Sequence, residues 1–125
     1  MDVVRYDGVP GRPYAAAVVA EGRFVFVSGQ IPVRDGRLVG GTMREQTRAV
    51  MDNIEAILDS AGTTVGDVVR CGVFLADLTA ISEFNEEYVS RWGSRLPART
   101  TVGVDLPGYL VEVDCVAVLP AGVDR

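Results

Sequence analysis

Chemistry in this 125-residue chain has to be done without histidine, which the sequence lacks altogether. That removes Ser-His-Asp and Cys-His nucleophile pairs, the HExxH zinc site and the ordinary proton shuttle near neutral pH. What remains is the chemistry of carboxylates, arginine, hydroxyls, backbone groups and thiols. Pro97-Ala98-Arg99-Thr100-Thr101-Val102 places a guanidinium on a β-rich run just after a proline. Its planar fork matches a carboxylate bidentately and keeps its charge when partly buried; a surface arginine after a proline turn is the plainer reading of the same residues. In Val111 to Val118 a period of two puts Val111, Val113, Cys115 and Ala117 on one side and Glu112, Asp114, Val116 and Val118 on the other. The second side is too apolar for a solvated face and too acidic for a dry core. A subunit interface containing a polar site accounts for both. Cys71 and Cys115 sit apart in apolar runs and read as buried free thiols rather than a disulfide; two isolated cysteines make no structural zinc site.

The elements that must position these groups can be read from periodicity. Val3 to Tyr6, Tyr14 to Ala20 and Arg23 to Ser28 read as strands, the last two joined as a hairpin at Glu21-Gly22. Asp35-Gly36 signals a tight turn in a small ribbon over Val33 to Val39. Thr42-Met43-Arg44-Glu45 has the spacing of a capping box, and Met43, Val50, Ile54, Ile57, Leu58 and Ala61 then line one helical face up to Gly62. Val68 to Ala76 is another strand. A second helix carries Ile81, Phe84, Tyr88 and Trp92 on one face and stops at Gly93. Arg99 to Val104 and Leu110 to Leu119 are the last strands, joined around Leu106-Pro107-Gly108. This order predicts an α+β layer, a mixed six-stranded sheet with two helices on one face.

Length and composition fit one domain over residues 1–125, with hydrophobic residues at 48% and charged residues at 23%. Net charge is −5 and the 12 basic residues are scattered, which argues against a nucleic-acid partner. Met1-Asp2-Val3-Val4-Arg5 lacks the layout of a signal peptide, and no apolar run approaches a membrane span. A soluble, cytoplasmic protein with no membrane partner is expected.

Several segments together resemble the RidA/YjgF family. They are Phe24 through Pro32, with its SGQIP stretch; Gln46-Thr47 with Asn53-Ile54 and Leu58 to Gly62; Val73 to Asp77; Phe84 to Tyr88; and, most specific, the PARTTV run at Pro97 to Val102. The resemblance runs from about Tyr14 to Val118. It implies a chorismate-mutase-like single domain and a homotrimer whose sheets form a barrel, with a cleft at each subunit junction. It also implies hydrolysis of reactive 2-enamino or 2-imino acids, such as 2-aminoacrylate, to 2-keto acids and ammonia, with no metal or organic cofactor.

By that resemblance Arg99 holds the substrate carboxylate. Asp114, where the family usually has Glu, positions or activates water or moves a proton. Ser28 and Gly29 follow a strand end where hydroxyl and N–H groups meet the substrate; Tyr14 walls the cleft, Thr101 shares the face of Arg99, and Asn85 reaches in from the second helix. The chain departs from the family pattern at Arg12 (often Gly), at Ala15-Ala16 (usually Ser-Gln), at Thr101 (often Cys) and at Asp114. These departures keep two alternatives open: a pathway-specific enzyme for a larger enamine or imine, and a non-enzymatic trimer binding small carboxylic acids.

Overall fold

A computed structural model describes residues 3–120 and Gly122; Met1 and Asp2, part of the N-terminal layout considered above, lie outside the described residues. The strands are β1 (Val4–Tyr6), β2 (Ala17–Val19), β3 (Phe24–Gln30), β4 (Val33–Arg34), β5 (Arg37–Leu38), β6 (Val68–Leu75), β7 (Ala98–Gly103) and β8 (Val111–Val118). The helices are α1 (Met43–Ala61) and α2 (Ile81–Trp92). A four-stranded sheet runs in the order β3-β8-β6-β7, antiparallel except between β6 and β7. The fold is thus α+β with a mixed sheet and two helices.

The expected six strands do not share one sheet. The hairpin at Glu21-Gly22 is not formed: β2 pairs with β1, while β3 pairs with β8. Only Ala17–Val19 of the expected Tyr14–Ala20 strand is extended in a ladder, with Ala15 bridging to Ala98. The eight residues of β8 offer β3 a longer ladder and a buried face, which three-residue β2 cannot match. Gly22 instead packs its Cα against Val118, where a Cβ would lie 3.3 Å from the valine methyl. The small ribbon β4-β5 does turn at Asp35-Gly36, both at positive φ (53° and 76°), as a tight two-residue hairpin requires.

Helix α1 begins as its sequence dictates. The Thr42 side chain accepts from the Glu45 N–H while Glu45 reaches back to the Thr42 N–H, and Gly62 closes the helix in the left-handed region at φ 93°. Its buried stripe, including Met43, Val50, Ile54 and Leu58, joins Phe84, Tyr88 and Trp92 of α2 over one face of the sheet. The sheet contributes Cys71, Val73, Leu75, Val111, Val113, Cys115 and Ala117 to this core. Cys71 and Cys115 are opposite each other across β6 and β8, both free and buried. Burial pushes each thiol up to about 12. Side-chain amides lock the loops onto this frame. Asn53 donates to the Ile31 and Val33 carbonyls, pinning the loop after β3 to α1, and the Gln46 Oε1 accepts from the Leu110 N–H at the entry to β8. No helix among the described residues is long and apolar enough to cross a membrane.

Candidate functional site

Strand β7 is an edge strand whose register with β6 fixes where its side chains go. Arg99 lies beside Cys71 and Thr101 beside Val73, so both face the helices; Thr100 and Val102 face the opposite side. Arg99 therefore enters the rim of the core rather than solvent. Its guanidinium carbon sits 4.9 Å from the Tyr88 ring centroid, 5.2 Å from Phe84 and 5.8 Å from Tyr14. Three aromatic faces supply the quadrupole attraction that makes a half-buried cation tolerable. Burial pulls its pKa below the usual arginine range, while Tyr88, Cys71 and Tyr14 oppose that shift; an arginine remains charged under any such shift.

The head group is incompletely matched. Its Nε donates to Thr101 Oγ1 at 2.7 Å, but Nη1 is buried and meets no acceptor among the described residues. A buried charged donor without an acceptor is costly and calls for an anion. The space beside it is a cleft of about 320 Å³ lined by Arg12, Pro13, Tyr14, Ile81, Asn85, Arg99 and Thr101. Asn85 contributes a second orphan, an Oδ1 that is buried with no donor among the described residues. Two residues that each carry a buried, partnerless polar atom, Arg99 and Asn85, thus line one small cavity. A neighbouring recess of similar size is lined by Arg5 and Asp7. There the Arg5 guanidinium is already bonded to the carbonyls of Leu96, Gly66 and Val68, leaving it a structural tether.

Four of the expected site residues, Arg99, Thr101, Tyr14 and Asn85, are brought together in this cleft. The other three are not. Asp114 stands opposite Gly72 on β6, on the face away from the helices. Its Oδ1 accepts from the Gly72 N–H at 3.0 Å and lies 3.8 Å from Arg70. A Cβ on Gly72 would come within 2.5 Å of that oxygen, so the glycine is what admits the carboxylate. Ser28 and Gly29 fall in the irregularity of β3 between Val27 and Gln30, both exposed. Gly29 packs directly under the Glu112 carboxylate, which also accepts from the Tyr109 hydroxyl at 3.2 Å. Within one chain, then, Arg99 and Asp114 lie on opposite faces of the sheet.

The residues whose role was not foreseen are Phe84 and Tyr88. Their i, i+4 spacing on α2 reads as core packing, and they are core, yet their rings also form the bed of Arg99. Only the register of β7 against β6 turns that stripe into part of a site. No cluster of three or more metal-ligating side chains occurs among the described residues.

The Endoribonuclease L-PSP family model matches residues 9–119, nearly the whole described chain. This protein belongs to the RidA/YjgF family. A RutC family protein of Pyrococcus horikoshii is 40% identical over 112 residues, covering 86% of this chain and 88% of its own. Protein DfrA of Myxococcus xanthus is 41% identical over 111 residues, 85% of each chain. Among solved structures, YyfB of Yersinia pestis, from the conserved Rid protein family, superposes with a TM-score of 0.87 at 27% identity over 95% of this chain and all of that one. In this RidA/YjgF chain the cleft beside Arg99 falls on the Pro97–Val102 run, within the matched residues.

Proposed function

We propose that the protein hydrolyses reactive 2-enamino or 2-imino acids of the 2-aminoacrylate type to 2-keto acids and ammonia. The single observation that carries this reading is the buried, partnerless Nη1 of Arg99, a residue that lines a small cleft. The substrate carboxylate bridges the Arg99 fork, and the substrate nitrogen donates to the Asn85 Oδ1. Tyr14 and Ile81 wall the carbon skeleton, and Thr101 holds the Nε of Arg99. An enamine first gains a proton at C3 and loses one from nitrogen to become the imine. Water then adds to C2, the C–N bond breaks, and the nitrogen leaves as ammonia carrying the two protons of that water.

Asp114 is the proposed group that positions the water and moves the proton. Because it lies across the sheet from Arg99 in its own chain, it serves the cleft of a neighbouring copy, with Ser28 and Gly29 beside it. This requires a homotrimer packed through the outer sheet faces. The composition of that face supports it: Phe24, Phe26 and Val102 are exposed there alongside Glu112 and Asp114. A ribonuclease reading has less support, since a chain of net charge −5 without histidine offers neither phosphate attraction nor the usual acid–base pair.

The experiment is pyruvate release from 2-aminoacrylate generated in place by a lyase. Arg99→Lys should lower kcat/KM by about a hundredfold, because an ammonium cannot reproduce the fork; a wild-type rate in that variant removes Arg99 from its role. A second reading, a trimer that binds small carboxylic acids without turnover, is favoured by one detail. Asp114 is a methylene shorter than the family's glutamate and is held by the Gly72 N–H and Arg70. Keto-acid binding by calorimetry, with no turnover of any imine, would decide for that reading.

A further inference from the structure

The cleft holds a second cation. Arg12 lines the same cavity of about 320 Å³ as Arg99, and its side chain has no ion pair or hydrogen bond among the described residues. Nearby acids do not neutralise it. Glu86 lines an adjoining recess with Arg12 but is paired with Arg44, and Asp7 shares with Arg12 the recess around Arg5 but forms no ion pair with it. Among the described residues no carboxylate lines the Arg99 cleft itself. Two arginines lining one small cavity, with no carboxylate lining it among the described residues, offer an anion two places to bind. A volume at the low end of ligand pockets admits a skeleton of only a few carbons.

We propose that the cleft prefers ligands with two carboxylates, Arg99 taking the one at C2 and Arg12 the distal one. Arg12 is thereby a specificity-determining residue, and the substrate class narrows to imino or enamino derivatives of short dicarboxylic acids. The two arginines play unequal parts. Arg99 is half-buried on aromatic rings and fixes orientation, whereas Arg12 is exposed and contributes a screened, smaller preference. For turnover the inference rests on the deaminase reading; for binding it stands independently.

The test is calorimetry with 2-oxoglutarate and 2-oxopentanoate, keto acids of equal chain length that differ in the second carboxylate. Wild type should bind the diacid about fivefold more tightly at low salt. Arg12→Gln should remove most of that preference, and Arg37→Gln, which deletes the same charge on β5, should retain it. Equal binding of the two acids, binding of neither, or a preference that survives Arg12→Gln overturns the inference. A diacid preference in a protein that hydrolyses no imine supports this inference while sinking the deaminase reading. Imine turnover with equal binding of both acids does the reverse.

Discussion

On the helix side of the main sheet, Val73, Leu75, Val111, Val113 and Ala117 are each at most 1% exposed, sealed by α1 and α2. On the other side Phe26 stands 78% exposed, and Phe24 and Val102 about 40%, interleaved with Glu112, Asp114 and Thr100. One chain therefore completes one face and leaves the other with side chains suited neither to water nor to a dry core. The same division runs through the chemistry. The cation, its aromatic bed and the acceptor on Asn85 belong to the finished face, and the carboxylates to the unfinished one. Within one chain, Arg99 and Asp114 are kept apart by the sheet, and the proposed site needs both.

The largest effect separating the faces is in folding stability. Leu75→Ala removes a sealed side chain and should cost about 2–5 kcal/mol in urea unfolding; a cost under about 1 kcal/mol would mean that face is not the core it looks. The thiols on the same face come next. Their pKa is raised from 9.0 to about 12 by burial, so the folded chain keeps protons that the unfolded chain gives up between those values. Stability is thus unchanged below pH 9 and falls above it, by about 1.4 kcal/mol per thiol for each pH unit. Tyr88, also raised, adds the same sign above 10. A urea midpoint that holds steady well above pH 9 would contradict the dry setting of Cys71 and Cys115. Smallest is the effect on the open face. Phe26→Asp should change the stability of an isolated chain by less than about 0.5 kcal/mol, yet lower the mass seen by light scattering to that of a monomer. A mass unchanged by this substitution would place the proposed trimer contact elsewhere.

Much of the finished face is legible in the sequence because its signals are local. The capping box at Thr42–Glu45, the 3.6-residue stripe of α1 and the alternation along Val111 to Val118 each depend on neighbours in the chain. Strand partners are not local, and there the reading of the sequence fails. Glu21-Gly22 has the composition of a hairpin turn, but β3 gains more from β8, far along the chain, than from β2. The site shows the same limit. Alternation puts Arg99 and Thr101 on one face of β7, and Glu112 and Asp114 on one face of β8, but says nothing of how the two strands are phased. That phase comes from β6 between them, which sets Arg99 beside Cys71 and Asp114 beside Gly72.

Subunit mixing tests the proposed sharing of each site between two copies most directly. Arg99→Lys and Asp114→Asn chains, each nearly inactive alone, are unfolded, combined in equal amounts and refolded together. Since one junction in four then joins an intact Arg99 to an intact Asp114 of the next protomer, about a quarter of the wild-type rate on 2-aminoacrylate should return. A mixture no more active than its two components would contradict the shared site.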